Sequence, residues 1–291
     1  MFKILPLFFI VLSCSHLPQK NNIVFTITEG ITHPESVIYS ASEKAIFVSN
    51  IVSGNPVETK RLGNISKYSA DGKLLQSPWI SGLKAPKGMA IVGKFLYVSD
   101  VDQVVKIDIA KEVIVETINV KGAKFLNDVV ADNAGKIYIS DMMTDTIHVW
   151  DEKGMRVWLN SSHLRSPNGL YTDGKEHLLL ASWGNPIDPA NFKTKNLGAL
   201  SSLSLKKPSE KITEEDSLHG NLDGITADAT GDLWISDWMN GDIYQVKKTG
   251  EAHKVFNFSQ GVADIFFAKE LGLLLVPQMN DSQVMAIKLD Y

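Results

Sequence analysis

The sequence holds one cysteine, Cys14, in 291 residues. No intrachain disulfide is available, so a packed core or a bound metal must supply the stability. Nor is there a cluster of His and Cys of the kind that holds structural zinc. Basic charge is scarce: 29 Lys and Arg against 33 Asp and Glu leave a formal net charge of -4. That field does not gather phosphates, which sets nucleic-acid binding aside. There is no Gly-x-Ser-x-Gly elbow, His-Glu-x-x-His pair, Walker loop or dinucleotide fingerprint, so the enzyme classes built on them have no support. Long amphipathic helical patterns are missing beyond the first residues. The one continuous apolar run, Ile4 to Leu12, is too short to span a bilayer.

That run follows Lys3 and precedes Ser13 and Cys14, the layout of a secretion signal. Val11-Leu12-Ser13-Cys14 resembles the lipobox of bacterial lipoproteins, in which the Cys carries the lipid; a plain cleaved signal is the other reading. The expected organisation is a signal over 1–14, a tether over 15–22 and one folded domain over 23–291, exported to a bacterial cell envelope as a lipid-anchored or periplasmic protein. A lipid on Cys14 would be the only membrane contact.

What is present is a repeat. Short apolar strands starting at Glu35, Lys87, Asn127, Asn168, Asp223 and Ala263 are each followed by a turn and a second strand of β-branched and aromatic residues. Examples of the second strand are Phe95-Leu-Tyr-Val-Ser-Asp100, Lys136-Ile-Tyr-Ile-Ser-Asp141 and Asp232-Leu-Trp-Ile-Ser-Asp237. The starts are spaced by 52, 40, 41, 55 and 40 residues, a period that belongs to propellers and solenoids. Alternating stretches such as Asp242-Ile-Tyr-Gln-Val supply further strands. The expected fold is therefore an all-β six-bladed propeller with four antiparallel strands per blade. The last unit runs out after three strands while Ile23-Val-Phe-Thr-Ile-Thr28 stands alone at the front, so the N-terminal strand is expected to complete the sixth blade and close the ring.

In an antiparallel pair the start of the first strand and the end of the second share one end. With the first strand innermost, Glu35, Lys87, Asn127, Asn168, Asp223 and Ala263 ring one mouth of the channel, and Asn50, Asp100, Asp141, Trp183, Asp237, Trp238 and Gln278 form a second tier. The two long spacings place insertions over Ile51–Asn64 and Gly184–Ala199 above that same mouth, as a substrate lid requires. Asn-Gly and Asp-Gly are ordinary turn dipeptides, but Glu35 at the same phase is a poor turn former, and the set points to a site. Carboxylate and amide oxygens without Cys suit Ca²⁺ or Mg²⁺; the same donors serve Mn²⁺ or a catalytic Zn²⁺.

These motifs resemble those of the regucalcin/gluconolactonase-like six-bladed propellers over nearly all of the chain beyond the leader. The resemblance implies one divalent metal ion held by Glu35 in Pro34-Glu35-Ser36, Asn168 in Pro167-Asn168-Gly169 and Asp223 in Leu222-Asp223-Gly224. It places a substrate-contacting Asn in Leu126-Asn127-Asp128. The family's sugar lactonases carry an Arg shortly before that Asn, where Lys124-Phe125-Leu126 stands here. The implied activity is metal-dependent hydrolysis of a small lactone or ester, with Asp223 as the base, Asp128 and Asp264 as other carboxylates for that role, and Asn127 orienting the substrate oxygen. Trp183, Trp238, Met142 and Met239 are expected to form an apolar wall, and His219 to offer a proton shuttle. The reading from another class is a non-catalytic envelope propeller that binds a ligand or a protein partner at the same mouth.

Overall fold

A computed structural model of the chain describes residues 22–188, 190–208 and 212–289. The expected signal and nearly all of the tether, Cys14 included, lie outside the described residues. Six antiparallel sheets surround a central channel. The innermost strands are Pro34–Ser40, Pro86–Val92, Leu126–Ala131, Pro167–Thr172, Leu222–Ala227 and the short Phe266–Ala268. One turn of 3-10 helix, Ser162–Leu164, is the only helix among the described residues.

Six clusters of buried side chains fill the spaces between neighbouring blades. Between the first two blades, for example, Phe47, Ile65 and Trp79 meet Met89, Leu96 and Val105. Both faces of a blade therefore meet apolar neighbours. A middle strand such as Ala45–Asn50 is buried at every position, so it reads as a continuous apolar run where a half-exposed strand would alternate.

The ring closes as the sequence requires. Ile23–Ile27 pairs antiparallel with Gln283–Lys288, joining the outer edge of the sixth blade. On the channel side the sixth blade departs from the expected regular strand at Ala263. Residue 264 leaves its own sheet and bridges in parallel to Ser36 of the first blade, with the 264 N–H donating to Glu35 O at 2.9 Å.

The two insertions differ in build. Residues 51–62 form turns. Gly184–Ile187 folds back on the first part of Thr194–Ser204 as a hairpin that extends the fourth blade, with Gly184 opposite Leu197 and Ile187 opposite Thr194.

Candidate functional site

Each of the first five inner strands carries a β-bulge at its first residues. The registers jump from Pro34 to Ser36, Pro86 to Met89, Leu126 to Val129, Pro167 to Leu170 and Leu222 to Ile225. The residues left out of the ladders include Glu35, Lys87, Asn127, Asn168 and Asp223, five of the six ring positions anticipated from the repeat phase; the sixth, Ala263, does not line the cavity. A bulge frees a residue from strict alternation and re-aims its side chain, and here all five side chains line one cavity of about 290 Å³.

The bulges are held by groups that the motifs alone did not reveal. The serine before the aspartate at the end of a second strand reaches the next blade in the second, third and fifth blades, while Ser49, before Asn50, bonds only to Ser36 of its own blade. Ser140 accepts from the Asp128 N–H at 2.9 Å and donates to Asn168 O at 2.7 Å. Ser236 likewise accepts from the Gly224 N–H at 2.8 Å and donates to Ala263 O at 2.8 Å. Ser99 donates to Asn127 O. The signal was present as the repeated Ser-Asp and Ser-Asn pairs. The glycines after the ring residues answer to close approach. A Cβ at Gly169 would stand 1.9 Å from Asp223 O, and one at Gly224 would stand 2.3 Å from Ile265 N. Only glycine lets adjacent bulges approach this closely around the channel.

The expected second tier divides. Trp183 and Trp238 line the cavity, whereas Asn50, Asp100, Asp141, Asp237 and Gln278 do not. Most of them cap loops: Asp100 accepts from the Lys84 and Ala85 N–H groups, Asp141 from those of Lys124 and Phe125, Asn50 from that of Thr32 and Asp237 from that of Asn240, while Gln278 bonds to the side chain of Gln283. A buried loop N–H needs an acceptor, and these side chains supply it. Asp128 also falls behind the cavity wall; its two oxygens accept from the Val129 and Leu170 N–H groups, both at 2.6 Å. Asp264 is bonded to the Ser36 hydroxyl. His219 is exposed on the outer strand of the fourth blade, and Met239 packs beside the cavity without lining it.

The rest of the wall is mainly apolar, with His33, Asn191 and Asn280 as its polar members. Trp183 and Trp238 meet with ring centroids 5.9 Å apart, and Phe125 meets Phe192 at 6.1 Å. Phe192 belongs to the hairpin insertion, and its carbonyl accepts from Trp183 Nε1 at 2.8 Å, fixing the hairpin over the mouth. Ile51, Gly54 and Pro56 of the other insertion complete that rim, with His33 and Met279. Sequence reasoning missed Phe125, Phe192 and His33, because nothing in the repeat phase marks them.

Electrostatically the site is loaded. Burial, reinforced by the Asp223 carboxylate, pushes Glu35 well above the usual carboxylate range. Burial and Asp264 do the same to Asp223, against a hydrogen bond from Asn168. Burial and Asp264 raise Asp128, and burial lifts Asp264 to about 7 despite the Ser36 hydrogen bond. Burial also lowers Lys87 to about 8.

Two buried acceptors at this site, Glu35 Oε2 and Asn168 Oδ1, have no hydrogen-bond partner. The Asn168 amide is oriented by its Nδ2 donating to Leu222 O at 3.2 Å. Unpaired buried oxygens are costly, and two of them beside the Asp223 carboxylate fit a hard cation with oxygen ligands. Among the described residues no group of three or more His, Cys, Asp or Glu has metal-holding geometry; this set is a Glu, an Asp and an amide.

A family model described as the SMP-30/gluconolactonase/LRE-like region matches residues 33–276. Among solved structures, a gluconolactonase from Xanthomonas campestris superposes with a TM-score of 0.67 at 13% identity, over 88% of this chain and 86% of that one. A catalytically inactive virginiamycin B lyase from Staphylococcus aureus with quinupristin superposes with a TM-score of 0.58 at 12% identity, over 91% of this chain and 98% of that one. At such identities these likenesses concern the fold. No curated protein matches the sequence.

Proposed function

The chain belongs to the SMP-30/gluconolactonase/LRE-like family, and from that premise we propose that it is a divalent-metal-dependent hydrolase of a small lactone or ester, working in the channel-mouth cavity. The observation that carries the reading is the pair of unpartnered buried oxygens, Glu35 Oε2 and Asn168 Oδ1, in one cavity with Asp223.

Glu35, Asn168 and Asp223 would hold the ion, with Ca²⁺ first in order and Mg²⁺, Mn²⁺ or Zn²⁺ as the other choices. When bound it supplies Lewis acidity toward a carbonyl oxygen. Asp223, raised by burial above the usual carboxylate range, takes the proton of the attacking water as its oxygen adds to the acyl carbon. The proton then passes to the alkoxide as the acyl C–O bond breaks, leaving a carboxylic acid and an alcohol. Asn127 orients the substrate oxygen, since its amide spends only a weak contact, 3.9 Å to Met142 Sδ. Asp128 is committed to two backbone N–H groups and serves as a positioning residue for the fourth blade.

The aromatic wall of Phe125, Phe192, Trp183 and Trp238 favours an apolar acyl or alcohol portion over a polyhydroxylated one. The lipobox-like Cys14 supports an exported, envelope-located protein, lipid-anchored or periplasmic.

The test is hydrolysis of lactones and aryl esters by metal-stripped protein refilled with Ca²⁺, Mg²⁺, Mn²⁺ or Zn²⁺, beside Asp223→Ala. Metal-restored turnover absent from the variant is the expected result. Metal binding without turnover on any substrate would return the cavity to a binding role.

A further inference from the structure

Lys87 is the one cation on the cavity floor, and its ammonium is under-used. The residue is 1% exposed, in a position where lysine is almost never found without a partner. Its Nζ donates to Ala85 O at 2.9 Å and sits 4.7 Å from the centre of the Phe125 ring. These are its only close partners among the described residues; no carboxylate comes within ion-pair distance. An ammonium has three protons to donate, so two lack an acceptor.

Glu35 and Asp100 act on this charge only from a distance, and Glu35 makes no ion pair with it, its Oε2 having no hydrogen-bond partner at all. The other carboxylates nearby spend their oxygens elsewhere: Asp100 on the Lys84 and Ala85 N–H groups and Gln103 Nε2, Asp128 on backbone N–H groups and Asp264 on the Ser36 hydroxyl. With Glu35 and Asp223 given to a divalent ion, neither oxygen set remains to pair with Lys87, and its two open donors still face the cavity without an acceptor. A buried cation with open donors calls for an anion. Its place against Phe125, which in turn meets Phe192, puts that anion where the polar floor meets the aromatic wall.

We infer that Lys87 is a specificity-determining residue that receives a carboxylate of the ligand, whose apolar body lies against Phe125, Phe192, Trp183 and Trp238. This rests on reading the cavity as the substrate site, and it names the substrate class: an apolar lactone or ester that also carries a free carboxylate.

The experiment measures binding, so that it stands apart from hydrolysis. The probes are 4-phenylbutyrate and its neutral amide, 4-phenylbutyramide, neither of them an ester, titrated against the metal-loaded protein by calorimetry and by fluorescence of the cavity tryptophans. A charge-assisted contact in a buried site predicts acid binding about ten- to a hundredfold tighter than amide binding. Lys87→Met should erase that preference while leaving amide affinity unchanged. Lys87→Gln, which keeps a donor for Ala85 O, is the second variant should the first fail to fold. Equal binding of acid and amide by the wild type, no detectable binding of the acid, or an acid preference that survives in a folded variant would overturn the inference; the last result would assign the carboxylate to the metal. A protein that prefers the acid yet hydrolyses nothing sinks the hydrolase reading and leaves this one standing. Turnover of neutral esters without acid preference does the reverse.

Discussion

The hydroxyl of Ser36 donates to Asp264 Oδ2 at 2.6 Å across the seam between the first blade and the sixth. It lies one residue beyond Glu35 and holds a carboxylate that burial otherwise drives toward its neutral form. Ser36→Ala leaves that carboxyl without its donor. The expected loss is about 1–2 kcal/mol, or a fall in melting temperature of roughly 2–8 °C for a domain of this size. Thermal and urea melts check it; an unchanged midpoint would show that the seam bond contributes nothing net.

The raised carboxylates fix the sign of a pH effect. From the ordinary range near 4 up to about 7 for Asp264, the folded protein holds protons that the unfolded chain has released. Its stability falls as pH rises through that window. Lys87, lowered to about 8, acts only above it. Metal-stripped protein should therefore melt at a higher temperature at pH 5.5 than at pH 7.5, and added divalent ion should raise the melting point at pH 7.5. Scans with and without chelator decide; a stripped protein that gains stability from pH 5.5 to 7.5 contradicts the electrostatics.

Asp141 separates capping from ligation. Asp141→Ala strands the Lys124 and Phe125 N–H groups, at a cost of about 2–4 kcal/mol. Metal affinity per folded molecule should stay within about twofold. A large loss of metal affinity with stability intact would make this residue part of the metal site after all.

Gly169→Ala drives a methyl into Asp223 O. Backbone must move at two ring positions together, at a cost of about 3 kcal/mol or more. Solubility, melting point and metal titration report it, and a variant with normal stability would show that the inner strands part easily.

The repeat phase made the ring legible because blade geometry maps sequence period onto angular position: Glu35, Lys87, Asn127, Asn168 and Asp223 meet in one cavity. What stayed hidden depends on contacts between blades. Ser140 bridges Asp128 and Asn168, a relation that no single repeat contains. Asp100 and Asp141 sit at the same mouth as the ring yet cap loops, because the residue type tells a ligand from a cap only once its backbone partner is known. Phe192 reaches the cavity through the fold of an insertion outside the repeat. His219 lies near Asp223 in sequence but on the far edge of the preceding blade.

Deleting Ile23–Ile27 unpairs Gln283–Lys288, the strand it covers. An open sheet edge is a template for association, so the truncated protein should form soluble oligomers or precipitate, and proteases should cut it near its C-terminus. Size-exclusion chromatography and limited proteolysis settle it; a monomer with full resistance would mean that the closing strand is dispensable.

The same pairing sets a clock on biosynthesis. Ile23–Ile27 is made before every other strand of the propeller, and its partner over Gln283–Lys288 after all of them. At roughly 5–20 residues per second the wait between them is ~15–50 s. Earlier blades can form and pack in sequence, but until then Ser36 and Glu35 O have no Asp264 to bond, and the channel has a gap on that side. Any agent that holds the newborn chain open therefore acts on one late event, the meeting of the propeller's first strand with its last.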